Sequence, residues 1–305
     1  LATVVALALS ASLFYGASDF LGALTARRLT VIKSSTVIFL AATGVVAVAL
    51  LVTTWNYSDQ AFWAGTLAGV TGTVGMVTFY AALAIGPMGL LAPLIALIQT
   101  SIPVIIAAAL GQSLPPIAWF AIGLALLATT LISVPAKTAS GNLAIQRITL
   151  RGGLLGLISG VTLGFAVVFL DAAPPDSGVF SVFVDMVVGL VIVLPFVVLR
   201  RFRTSDDWLH GAPALPLVPE DAPKEPVGAG TWALSAVSGA LLGIGNILLI
   251  IALHTGNLAV VAVLVSLYPL ATVFLAWALL KERMSLPQMA GVALAITAAI
   301  LLGTS

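Results

Sequence analysis

Few side chains in this 305-residue chain carry charge, because Asp, Glu, Lys and Arg together make only 8% of it. Two carboxylates nevertheless stand inside apolar runs: Asp19 in LFYGASDFLGALTARR and Asp185 in FVDMVVG. On insertion scales a carboxylate at the bilayer centre costs at least ~2.5 kcal/mol, and the cost falls towards the interface. At helical spacing Ser12, Tyr15, Gly16, Asp19, Gly22 and Ala23 form one small and polar stripe. Turned inward, that stripe lets Asp19 meet water, a donor or a cationic substrate. The competing accounts are interfacial snorkelling, pairing with Arg27 or Arg28, and helix packing. Asp185 divides the same way, between a cavity role and a structural or interfacial one. A carboxylate shielded from water holds a proton more tightly, which is what a proton-coupled carrier needs.

The uncharged polar residues suggest what would accompany the carboxylates. Gln99 and Ser101 stand beside Pro93 and Pro103, and Ser266 and Tyr268 beside Pro269. Proline interrupts the intrahelical ladder and frees carbonyls for a substrate, water or hydroxyl. Tyr80 and Tyr268 offer aromatic walls with polar hydroxyls, and Gln99 and Asn246 offer amides that fix orientation. Interhelical hydrogen bonding is the alternative for both amides. A pocket of these residues suits a small amphipathic organic molecule better than a bare ion. Neither CxxC nor HExxH occurs, there is no cysteine, and no acid/base or nucleophile motif is assembled. An enzyme is therefore disfavoured, and neither cofactor nor metal is expected. His254 reads as interfacial and His210 as solvated.

The elements that must position these residues are membrane helices. The chain is 61% apolar with a mean hydropathy of +1.19, which a soluble domain would present as large apolar patches. A span needs about 20 apolar residues. Such segments fall near 3–24, 33–53, 62–85, 88–110, 116–135, 151–171, 178–199, 230–253, 257–280 and 286–303. Gly86-Pro87 and GQSLPP separate the third, fourth and fifth. The stretch 204–229 is rich in proline, glycine and mixed charge and reads as a long solvated loop. The first segment reads as a span, with a cleaved signal peptide as the weaker reading. Trp55 and Trp63, with Trp119 and Trp277, suit interfacial anchors.

If ten helices alternate, all 12 Lys and Arg fall on one side, while Asp59, Asp171 and Asp176 fall on the other. The positive-inside rule makes the basic side cytoplasmic and puts both termini outside. The expected location is the cytoplasmic (plasma) membrane, crossed many times, with lipid as the surrounding partner. A net charge of +1 and the lack of basic clusters interleaved with aromatics argue against nucleic acid.

The chain also repeats itself. At a constant offset of 170, Ala82, Leu83, Gly86 and Ala92 meet Ala252, Leu253, Gly256 and Ala262, and Gly69 and Gly75 meet Gly239 and Gly245. The expected organisation is a five-helix repeat over 1–135, a linker at 136–150 and a second repeat over 151–305 that carries the long loop. Five is odd, so the repeats would be inverted relative to each other, an arrangement suited to alternating access. Gly152, Gly156, Gly160 and Gly164 recur every fourth residue, and Gly65/Gly69 and Gly239/Gly243 share that spacing. Such stripes let helices approach closely.

FYGASDF, FYAALAIGPMGLLAPLIALIQTSIPVIIA and LLKERMSLPQMAGVALAITAAILL together resemble the EamA branch of the drug/metabolite transporter superfamily. Glu282, Gln288 and Gly291 are similar to a Glu, Gln and Gly pattern of that family; Gln112, Ala118 and Ala121 stand at the matching places in the first half. The resemblance implies a carrier of small organic metabolites or drugs, commonly an exporter, with its cavity between two repeats, and it places both termini in the cytoplasm, against the charge bias. It implies no cofactor. The expectation is an all-α integral membrane protein that moves a small organic substrate by alternating access, with protons as a coupling partner. The alternatives are a facilitative pore or uncoupled uniporter, and a membrane scaffold. The residues expected to touch substrate or proton are Asp19, Tyr15, Tyr80, Gln99, Asp185, Asn246 and Tyr268.

Overall fold

Backbone groups surrounded by lipid must be satisfied within their own segment, so an apolar chain of this composition folds as helices. The computed structural model describes residues 2–26, 29, 31–85, 88–112, 114–132, 149–202, 228–271 and 285–304. The described residues form helices α1 (Ala2–Ala26), α2 (Val31–Val52), α3 (Asp59–Ile85), α4 (Met88–Ala109), α5 (Pro116–Ile132), α6 (Leu150–Asp171), α7 (Phe180–Phe202), α8 (Ala229–Thr255), α9 (Leu258–Val265) and α10 (Leu286–Thr304), with no strand among them. A single 3-10 turn, Pro175–Ser177, joins α6 to α7. Among the described residues six helices are long and apolar enough to cross a membrane, and four further apolar helices are shorter. Most of the loop over 204–229, with His210, lies outside the described residues, as do Arg27, Arg28, Trp277 and Glu282.

The helix ends follow local chemistry. Thr149 caps α6 by accepting from the Gly152 N–H at 3.1 Å, and Asn257 caps α9 by accepting from the Ala259 N–H at 2.9 Å. Gly111 takes a φ of 75° just beyond α4, a left-handed conformation that glycine adopts without penalty. At the start of α10, Gln288 Oε1 accepts from the Ser285 N–H at 2.9 Å while Ser285 Oγ accepts from the Gln288 N–H at 3.4 Å. That is a reciprocal capping box. Replacing Gln288 by Ala is expected to cost about 1 kcal/mol, read as a lower melting temperature of the detergent-solubilised chain.

One segment departs from the sequence expectation. The span read at 257–280 does not begin as one continuous helix: α9 stops at Val265, and residues 266–268 form tight turns. Pro269 has no N–H to offer the Val265 carbonyl, and the Tyr268 N–H takes that carbonyl instead at 3.1 Å.

Close seams bring the helices together. α1 and α2 pack on α8, α3 on α6 and α7, α4 on α6 and α9, and α5 on α10. Gly65 and Gly69 lie against the Ser181 and Asp185 carbonyls of α7, Gly239 and Gly243 against the Ile38 and Ala42 carbonyls of α2, and Gly160 and Gly164 against Ile98 and Ile102 of α4. The glycine stripes are thus contact faces. Hydroxyls add bonds across two seams: Ser18 Oγ donates to the Ser238 carbonyl at 2.9 Å, Ser238 Oγ to the Ser18 carbonyl at 2.8 Å, and Ser159 Oγ to the Gly75 carbonyl at 2.9 Å. Trp55, Trp63 and Trp119 are exposed, and Trp55 also stacks on Phe180 at 5.2 Å.

Candidate functional site

A cavity of about 180 Å³ lies among the helices, lined by residues of α1, α2, α3, α4, α6, α7, α8 and α9 and by Tyr268. Six of the seven side chains singled out in the sequence line it: Tyr15, Asp19, Gln99, Asp185, Asn246 and Tyr268. The side chain of the seventh, Tyr80 in α3, lies outside the described residues.

Helical spacing explains the first pair. Tyr15 and Asp19 are one turn apart on α1 and so share a face. The Tyr15 ring reaches α8 because residue 245 is glycine; a Cβ there would stand 3.2 Å from the ring. The Tyr15 hydroxyl donates to Asn246 Oδ1 at 2.9 Å, and Asn246 Nδ2 donates to the Leu242 carbonyl at 3.1 Å. Both ends of the Asn246 amide are thereby engaged within the protein, so this residue ties α1 to α8 at the cavity wall.

Asp185 is held differently. Its backbone carbonyl sits where a Cβ on Gly69 would approach to 2.7 Å, so α3 lies tight on α7 at the level of this side chain. The residue is only 8% exposed, and Asp19 is half-buried. Among the described residues neither carboxylate makes a hydrogen bond or an ion pair. Tyr15 lies within electrostatic reach of both. Among the described residues, no Lys, Arg or His lines the cavity.

Thr73 was not singled out in the sequence. It is 2% exposed, lines the cavity, and its Oγ1 has no hydrogen-bond partner among the described residues. Its neighbours Thr66, Thr71 and Thr78 on the same helix each donate to the carbonyl four residues back. A threonine in an apolar helix normally satisfies itself in this way, so the signal in the sequence is slight. Phe39 and Phe79 add aromatic surface, and Met76 and Met186 add adaptable thioethers.

Other polar residues noted in the sequence serve elsewhere. Ser101 and Ser266 donate to the carbonyls of Leu97 and Val263, both at 2.7 Å. His254, in the last turn of α8, does not line the cavity. No group of three metal-ligating side chains occurs among the described residues.

Comparison with known proteins places this arrangement. A protein of known crystal structure shares the fold with a TM-score of 0.72 over 98% of this chain and 95% of that one, at 16% identity. An uncharacterized protein of Methanocaldococcus jannaschii is 30% identical over 155 residues, which are 50% of this chain and 96% of that protein. The family model for EamA-like transporters matches residues 150–304. Apolar helices packed around a cavity are what a membrane transporter of small molecules requires, and with these matches the chain belongs to the EamA-like transporter family.

Proposed function

We propose that the chain is a secondary transporter that moves a small organic molecule out of the cell by alternating access between two inverted five-helix halves, with protons as the coupling ion. The observation that carries this reading is the joint construction of the cavity. The first half supplies Tyr15, Asp19 and Gln99, and the second supplies Asp185, Asn246 and Tyr268. A site shared between halves changes access when one half moves against the other.

The packing supports the inverted arrangement. If each helix of the first half corresponds to the one five places later, the α1–α8 seam corresponds to α6–α3, and α2–α8 corresponds to α7–α3. Gly69 and Gly239 are equivalent in this scheme, and each lies against a backbone carbonyl, that of Asp185 or of Ile38. The relative from Methanocaldococcus jannaschii, matched over 96% of its own length by half of this chain, fits a fold assembled from two similar units. The break at Ser266–Pro269 beside Tyr268 fits the interrupted helices that line carrier sites.

Within this reading the basic side is cytoplasmic and both termini lie outside. A reporter fused to each terminus checks that; cytoplasmic signal from both would reverse it. The transport reading is tested in proteoliposomes loaded with a panel of small organic solutes. Uphill flux that requires an imposed proton gradient is expected. Saturable flux indifferent to collapse of the gradient would replace proton coupling by a uniporter, and absence of flux for every solute would leave a scaffold.

A further inference from the structure

The polar groups of the cavity divide into those already engaged and those left over. Tyr15 and Asn246 bond to each other, and Asn246 also bonds to Leu242. Left without a hydrogen bond among the described residues are the carboxylates of Asp19 and Asp185, the amide of Gln99 and the hydroxyl of Thr73. Thr73 is 2% exposed and Asp185 8% exposed, so neither is satisfied by bulk solvent. Acceptor atoms therefore dominate the unengaged set, and among the described residues no cationic side chain lines the cavity to offset them.

The nonpolar walls suit the same kind of visitor. Phe39, Phe79, Tyr15 and Tyr268 line the same cavity as the carboxylates and add aromatic surface to it. Aromatic faces attract cations, and they also accept an apolar body. An anion would have to enter a chamber whose ionisable lining groups, among the described residues, are Asp and Tyr alone.

We propose that the cavity recognises an organic monocation: an ammonium- or guanidinium-type head that donates to Asp19 and Asp185, attached to an aromatic or branched apolar body. The Thr73 hydroxyl and the Gln99 amide complete the shell around the head. This assignment rests on the reading of the cavity as the transport site.

Three ligands of nearly one shape test it: benzylguanidinium, the neutral benzylurea, and the anion phenylacetate. Each is titrated calorimetrically into the detergent-solubilised full chain at neutral pH. Benzylguanidinium is expected to bind saturably and about tenfold or more tighter than benzylurea, with no measurable binding of phenylacetate. Equal or tighter binding of benzylurea or phenylacetate, or no saturable binding of benzylguanidinium, overturns the assignment without any variant having to fold. In Asp19→Asn and Asp185→Asn, benzylguanidinium affinity is expected to fall by about tenfold or more; unchanged affinity in both also overturns it. The same probes in proteoliposomes separate the two readings. Binding of benzylguanidinium without flux would remove transport and keep the cation site, whereas flux of neutral or anionic solutes without benzylguanidinium binding would remove the cation site and keep transport.

Discussion

Replacing Asp185 by Asn is expected to reduce gradient-driven flux to background while leaving the melting temperature of the purified protein unchanged or higher. The side chain is 8% exposed and makes no hydrogen bond or ion pair among the described residues, so no described contact of this kind depends on its charge. Asparagine has nearly the same shape and is cheaper to bury than a charged carboxylate, so packing against α3 survives. What disappears is the ability to hold and release a proton. Loss of function with retained or increased stability is the pattern expected when a polar group is kept at a cost for its activity. Asp185→Glu, which keeps the carboxylate, should retain part of the flux. Full coupled flux in Asp185→Asn would show that the carboxylate is structural. Asp19→Asn makes the companion experiment: if flux and its pH dependence are unchanged, packing or snorkelling accounts for that residue.

The second large effect concerns a residue with no side chain. Replacing Gly239 by Leu is expected to destabilise the fold by about 3 kcal/mol or more, at or beyond the upper end of ordinary overpacking. A Cβ at this position would collide with the Ile38 carbonyl and stand 2.8 Å from the Ala41 Cβ. The obstacle is backbone, which has no rotamer to escape into, so α2 and α8 must separate. Separation would also strain the neighbouring Ser18–Ser238 hydroxyl pair, which is bonded in both directions between α1 and α8. Thermal unfolding in detergent measures the loss. Gly44→Ala is the control: nothing lies within 4 Å of an added Cβ there, and the better helix propensity of alanine should leave stability equal or raised by up to about 1 kcal/mol. A melting temperature unchanged in Gly239→Leu would contradict the packing described.

The sequence and the structure agree best where one physical signal dominates. Apolar length located the helices, and the GQSLPP stretch located the end of α4. A left-handed backbone ends a helix, as at Gly111, whereas a missing N–H by itself does not, since α4 runs through Pro93 and Pro103 and α7 through Pro195. Asp19 and Asp185 were visible because charge is rare inside apolar runs. Tyr15 and Asn246 were visible singly, but their bond spans 231 positions and no local pattern announces it. Thr73, Phe39 and Met186 were not visible as cavity residues. In a membrane helix both the lipid side and the protein side are apolar, so periodicity does not reveal which face turns inward. The stop at Val265 was half-legible: Pro269 marked an interruption, but the point where carbonyl partners change depends on the Tyr268 N–H. The Gln288 and Gly291 pattern was legible only as a resemblance. Its physical content is local, a cap at Ser285 and a close contact with the Ala128 carbonyl on α5.

That last contact belongs to the seam between α5 and α10, and neither helix contributes a residue to the cavity wall. The molecule therefore separates two kinds of information. On the transport reading proposed above, cargo choice is written in α1–α4 and α6–α9, whereas α5 and α10 form a clasp away from the cavity. On the same reading, crosslinks or stabilising changes placed in that seam are expected to leave what the cavity admits unchanged.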